Sequence, residues 1–282
     1  MTNSAKNQVT ILGSGTSTGV PMPACQCPVC LSTNPFNKRM RTSIYLHTSL
    51  GQKILVDTSP DLRTQLLNNS INSLDSVIIT HDHADHVHGI DDLRPLSYFR
   101  ESPIPIYTNK QTSDSLCVRF PYIFKAHEIF SDARPIIGGG VPKVDLKVFD
   151  PKTGPTLIGS EKFHFFELPH GHIQSLCFTH QKLGHIVDCN SIPTHVLEHF
   201  RNERLELLII DCLQKEKKNK LTHLTLEETL HYIEVINPVQ AGLIHLSHYF
   251  EHESLQRELY QRSLFHIFPL YDGQVFSYDS TS

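Results

Sequence analysis

The chain predicts an α/β fold, on three observations. Short β-type runs alternate with amphipathic segments along its length, and one of those segments carries a complete helix-start signal. The third is size: 282 residues with 39% hydrophobic content can bury a substantial core, near the upper length for one domain. In chain order, strands are expected at residues 9–12, 43–47, 53–57, 76–80, 105–107, 163–168, 175–179, 185–188, 205–211, 241–245 and 274–278. A helix is expected from about Asp61, with Leu62 and Leu66 turned inward, and another after Pro193. The clearest covers residues 226–236: Thr225 and Glu228 form a capping box, Leu226, Leu230 and Ile233 recur on one face, and Pro238 closes it. Residues 120–155 break the rhythm with aromatics, Gly138-Gly139-Gly140 and scattered prolines, and read as an insertion, either a lid or an inert surface excursion. The charge run from Lys215 to Lys220 is expected to be a solvated loop, no internal repeat is visible, and residues 1–282 read as one domain.

Composition excludes several classes. No run approaches the roughly 18 apolar residues of a membrane span, and Met1 to Gln8 has neither the apolar core nor the cleavage site of a secretory signal. A soluble, cytoplasmic protein without membrane contact is expected. Seven cysteines are an odd number, and three fall at positions 25, 27 and 30, so metal ligation explains them better than a disulfide framework. A net charge of −4 and a pI near 6.5 give no global attraction to nucleic acid, although a local basic patch stays open.

The stretch His81-Asp82-His83-Ala84-Asp85-His86 holds five metal-capable side chains directly after the β-type run Val77-Ile78-Ile79-Thr80. A turn leaving a buried strand can aim His81 and His83 at one ion and Asp85 and His86 at another. Two ions about 3.5–4 Å apart can clamp the attacking and leaving oxygens of a hydrolysis. Further ligands should come from distant strand ends, where His172, Asp188 and His245 stand, with His170 and His185 equally visible. Gly13 to Gly19 lacks both the phosphate-loop Gly-Lys-Ser/Thr and the third glycine of the dinucleotide fingerprint, and reads as a tight turn passing near the metal site.

With its order His81-x-His83-x-Asp85-His86, then His172, Asp188 and His245, the chain resembles the metallo-β-lactamase superfamily in its phosphodiesterase and ribonuclease Z branch. Gly13-Ser14-Gly15-Thr16-Ser17-Thr18-Gly19-Val20-Pro21 leading to Cys25-Gln26-Cys27-Pro28-Val29-Cys30, together with Gly89-Ile90-Asp91-Asp92-Leu93-Arg94, is similar to the PhnP-like group of phosphoribosyl cyclic phosphodiesterases and relatives. The resemblance runs from about Val9 to about His252 and implies an αββα sandwich of two mixed sheets with metals at one rim.

Carried over by position, the resemblance implies that His81, His83 and His172 hold one metal, that Asp85, His86 and His245 hold the second, and that Asp188 bridges them. Zinc or manganese suits this ligand set. Cys25, Cys27 and Cys30 need a fourth ligand for a structural zinc, which the resemblance assigns to His248; three residues from His245 on an extended chain, it can face a different site. Asp57 resembles the strand-end carboxylate that supports the site from behind. At Cys189 the chain departs from relatives that carry Thr after the bridging Asp. Asp211 would orient His223, which acts on the leaving oxygen while a hydroxide made by the metals attacks phosphorus. A small or cyclic phosphodiester is the expected substrate. Alternatives are ribonuclease Z-like RNA processing, disfavoured because no basic arm is visible, ester or thioester hydrolysis, and a non-catalytic metal-binding scaffold. A homodimer is left open.

Overall fold

A computed structural model of the chain describes residues 6–98, 100–131, 134–136, 140–216 and 222–279. Gly138, Gly139 and most of the charge run after Glu216 lie outside the described residues.

Fourteen strands form two seven-stranded sheets among these residues. The first contains β1 (Asn7–Gly13), β2 (Ser43–His47), β3 (Lys53–Val56), β4 (Ser76–Ile78), β5 (Ile104–Thr108), β6 (Val144–Val148) and β14 (Val275–Tyr278), in the order β14-β1-β2-β3-β4-β5-β6. The second contains β7 (Thr156–Ile158), β8 (Glu161–His170), β9 (Ile173–His180), β10 (Leu183–Ile186), β11 (Leu207–Asp211), β12 (Gln240–Ile244) and β13 (Ile267–Pro269), in the order β13-β12-β11-β10-β9-β8-β7. Each sheet is mixed: β14 to β3 pair antiparallel and β3 to β6 parallel, while β7 to β10 pair antiparallel and β10 to β13 parallel.

Side-chain alternation makes the layers. Ile54 and Val56 of β3 and Ile78 of β4 join Leu207 and Ile209 of β11 in an apolar layer between the sheets. Leu55 and Val77 face the other way, under Leu62 and Leu66 of the helix Leu62–Asn68 and Leu116 of Lys110–Arg119. On the second sheet Leu208 and Ile210 face Val196 and Phe200 of Thr194–Asn202, Ile233 and Ile236 of Leu226–Ile236, and Leu255 and Leu259 of His252–Gln261. The order is therefore helix, sheet, sheet, helix, as the resemblance implies. Because the central strands are buried on both faces, they read as continuous apolar runs rather than as alternation.

Thr225 and Glu228 form the expected capping box, and Asn237 ends that helix in a left-handed conformation before Pro238. Sequence patterning did not isolate β6, β7 or β13. The last two are three residues long, and β6 is an exposed edge strand inside the Gly- and Pro-bearing stretch 120–155.

Candidate metal centre

Parallel register brings the site together. Ile186 of β10 lies opposite Ile210 of β11, and Ile210 opposite Leu243 of β12, so Asp188, Asp211 and His245 leave the second sheet at one edge. β4 ends at the same rim, and the chain beyond it supplies His81 and His83, then the short helix Ala84–Val87 bearing Asp85 and His86. Asp57, Asp188 and His245 all leave their strands with φ near +60°, a conformation that turns each side chain out of the strand direction.

Two principal groups of ligand atoms result, each with its members within 4.8 Å of one another: His81, His83, His170 and Asp188, and then Asp85, His86, Asp188 and His245; Asp211 and His223 form a further group with the same Asp188 and His245. Asp188 belongs to both principal groups. Its Oδ2 lies 3.5 Å from His81 Nε2, 3.3 Å from His86 Nε2 and 3.6 Å from His170 Nε2, and its Oδ1 lies 3.4 Å from His245 Nε2. Asp85 Oδ2 is 3.3 Å from His86 Nε2 and 3.5 Å from His245 Nε2. Around an ion bonded at about 2.1 Å, tetrahedral ligands stand about 3.4 Å apart, which these separations match.

The sequence assignment of His172 is corrected. His172 sits in the exposed two-residue turn between β8 and β9, whereas His170 Nε2 is 3.0 Å from His83 Nδ1. The strand expected over residues 163–168 runs on through Pro169, opposite Gln174 in β8, so His170 falls on the same side as Leu168 and is buried at the rim. His185 is buried and stacked on Phe178 at 4.9 Å, outside both groups.

For His81, His86 and His170 the nitrogen turned away from the centre has a partner that fixes the tautomer. His86 Nδ1 donates to Asp57 Oδ2 at 2.7 Å, and Thr80 donates to the same carboxylate through its hydroxyl (2.9 Å) and backbone N–H (2.8 Å). His81 Nδ1 then donates to Thr80 Oγ1 at 3.0 Å, and His170 Nδ1 to the Thr222 carbonyl at 2.7 Å. What remains are buried atoms with no hydrogen-bond partner: His81 Nε2, His86 Nε2, His245 Nε2 and Asp188 Oδ1. Lone pairs left bare and aimed at one another are costly unless cations fill the gap, so the donor set fits divalent metal.

Charge points the same way. Burial opposes ionisation of Asp85 and Asp188, yet the surrounding imidazoles hold both well below the usual carboxylate range. His81 is driven well below the ordinary imidazole value by burial and by His86, which leaves it a neutral ligand. Asp211 lies behind His245, its Oδ1 3.6 Å from His245 Nδ1, while its Oδ2 accepts from His223 Nδ1 at 3.2 Å and from Leu224 N–H at 3.3 Å. Burial lowers the His223 pKa, but Asp211 and Asp188 outweigh it and raise the value to about 9. Its ring stacks on His245 at 4.9 Å.

A second centre lies beside the first. Cys25, Cys27 and Cys30 place their Sγ atoms 3.2, 3.7 and 3.5 Å from His248 Nδ1. Backbone N–H groups of Met22 and Cys30 donate to Cys30 Sγ and Cys27 Sγ, a pattern that suits thiolates. None of the seven cysteines is in a disulfide. The loop from Gly13 to Gly19 runs between the two centres, with Leu246 N–H donating to the Ser14 carbonyl and Thr16 N–H to that of Leu246. A Cβ at Gly13 would lie 2.0 Å from the Arg41 carbonyl oxygen, and at Gly89 1.9 Å from that of Ser59, so both approaches require glycine.

Residues 52–246 match the beta-lactamase superfamily domain. The chain superposes on a solved diphosphatase of the PhnP family with a TM-score of 0.86 and 30% identity, covering 99% of both chains. Zinc-bound PqqB of Methylobacterium extorquens shares the fold, with a TM-score of 0.72 and 15% identity over 95% of this chain and 99% of that one. An octanoyltransferase of Porphyromonas gingivalis is 35% identical over 93% of this chain and 50% of its own length. The chain spans no more than half the length of the curated relatives it matches.

Proposed function

From the premise that the chain belongs to the metallo-β-lactamase superfamily, in its PhnP-like group, we propose that it is a binuclear metal-dependent hydrolase acting on a small or cyclic phosphodiester. The reading is carried by Asp188, a buried carboxylate within 3.6 Å of imidazole nitrogens from both ligand groups. His81, His83 and His170 would hold one ion, Asp85, His86 and His245 the other, and Asp188 would be shared. Held there, two divalent cations supply Lewis acidity toward phosphoryl oxygens and acidify water.

The chain's own groups do the rest. Asp57 and Thr80 lock His86 and His81 so that Nε2 faces the centre, and Thr222 does the same for His170. His223 keeps its proton through Asp211 and delivers it to the departing alkoxide, where negative charge develops as the P–O bond breaks. The three thiolates and His248 would hold a zinc that braces the loop carrying His245.

The likeness to a PhnP-family diphosphatase supports phosphorus as the electrophile. A second reading, ester or thioester hydrolysis, is favoured by the match to half of an octanoyltransferase, since the same cations polarise a carbonyl. The test is a metal-reconstituted protein assayed on a nitrophenyl phosphodiester, a cyclic phosphodiester, a nucleoside diphosphate, a nitrophenyl octanoate and a precursor tRNA. The highest kcat/KM on the phosphodiesters, lost in Asp188→Ala, supports the proposal. Faster turnover of the octanoate ester or of tRNA, or none on any substrate, overturns it.

A further inference from the structure

On the outer face of the second sheet, away from the rim, His164 of β8 meets His199 of the helix Thr194–Asn202 and Glu203, the residue that caps it. Their ligand atoms all lie within 4.8 Å of one another. His199 Nε2 is 3.6 Å from Glu203 Oε1, and the His164 and His199 rings meet edge-on at 5.0 Å. Thr179, opposite His164 in the β8–β9 register, brings its hydroxyl to 2.9 Å from His199 Nε2. His164 lies six residues along β8 from His170, about 20 Å in an extended strand, so this group is separate from the rim site.

We propose that His164, His199 and Glu203 form an additional binding site for a zinc-class divalent cation, which clips the C-terminal end of this helix to the second sheet. Two imidazoles and a carboxylate are a three-ligand zinc set that leaves one position for water, and imidazole nitrogen favours borderline cations over magnesium or calcium. His199 and Glu203, four apart, share a helix face, and strand alternation puts His164 on the sheet face beneath it. All three side chains are half-buried, which leaves a path for the ion and enough shelter to hold it. Burial lowers the pKa of both imidazoles, which favours the neutral ligand form, and the cation would displace the Thr179 hydroxyl from His199 Nε2. Phe166 packs 4.7 Å from the His199 ring and limits its swing.

The site is tested by equilibrium dialysis of the whole protein against buffered micromolar zinc, followed by metal analysis of wild type, Glu203→Gln and His164→Asn. Wild type is expected to retain one more zinc equivalent than either variant, whatever number the other centres hold. Zinc should also raise the melting temperature of wild type above that of the variants, with hydrolase activity unchanged in all three. Glu203→Gln keeps a hydrogen-bonding side chain of the same size, so it decides the matter should His164→Asn fail to fold. Equal zinc content in wild type and Glu203→Gln overturns the site. So does a zinc-soaked crystal whose anomalous map lacks a peak among the three side chains. Neither result bears on the rim ligands, and failure of the proposed hydrolysis would leave this count untouched.

Discussion

An imidazole at the rim is useful only in one tautomer, and for His81, His86 and His170 a single hydrogen bond on the far nitrogen decides which. The Thr222 carbonyl fixes His170 in this way, so His170→Ala should empty one metal position and abolish turnover, whereas His172→Ala, in an exposed turn, should leave metal content and rate within a factor of two or so of wild type. Metal analysis beside kcat/KM decides between them, and a severe His172→Ala defect would restore the original assignment. His223 is held by Asp211 instead of lining either principal ligand group, so His223→Ala should slow turnover about 10²–10⁴-fold with metal retained. That defect should shrink for a nitrophenolate, which leaves without needing a proton; equal slowing on a ribose alkoxide and a nitrophenolate would remove the general-acid role. The cluster from His81 to His86 was legible because five metal-capable side chains fell within six residues after an apolar run, and four of them turn to the rim while Asp82 pairs with Ser115 and Arg119. His170 was not, because its place at the rim depends on β8 running through Pro169, which local sequence argues against.

At the scale of elements, loops that cross between strand ends decide the site. Cys25, Cys27, Cys30 and His248 join the N-terminal loop to the chain just beyond His245, so Cys27→Ser should lose one tightly held zinc and lower the melting temperature while His81 and His83 still bind metal. Unchanged zinc in the mutant would dismiss that centre. Beside it, Glu251 accepts from Ser254 N–H at the start of the helix His252–Gln261 and from Asn37 Nδ2, linking helix and loop. Burial would raise its pKa, but Asn37 and Ser254 outweigh it and lower the value from the ordinary 4.5 to about 2. A depressed carboxyl pKa stabilises fully above the unfolded value and loses that contribution as pH falls through the folded one. The stability gap between wild type and Glu251→Gln should therefore be full at pH 7 and close as pH falls from about 4.5 to about 2, read from urea melts of both proteins. A gap independent of pH would mean the carboxylate charge plays no part. The helix Leu226–Ile236 was legible from its capping box, a local signal, whereas the edge strand β6 draws its strand state from pairing with β5, which nothing in residues 144–148 announces.

For the whole molecule, a rim centre filled with cations would cross-link the two sheets, beside the apolar layer between their inner faces. The first sheet delivers His81, His83, Asp85 and His86 from the end of β4, and the second delivers His170, Asp188 and His245 from β8, β10 and β12. Without cations, this face of the sandwich buries two carboxylates whose desolvation is offset by the neighbouring imidazoles alone. Cations that bind only the folded state stabilise it by RT ln(1 + [M]/Kd), about 2.7 kcal/mol per site at a hundredfold excess over Kd. Chelation should therefore lower the melting temperature by several degrees, and backbone hydrogen exchange should rise at the strand ends of both sheets around residues 79–87, 187–190 and 244–247. The inner layer around Ile54, Phe163 and Ile209 should stay protected, because its burial does not depend on the ions. Exchange that rose across both sheets together would mean that the metals hold up the fold itself. Exchange unchanged at the rim would mean that the seven side chains are held in place by the protein alone, and that the cations serve chemistry without serving structure.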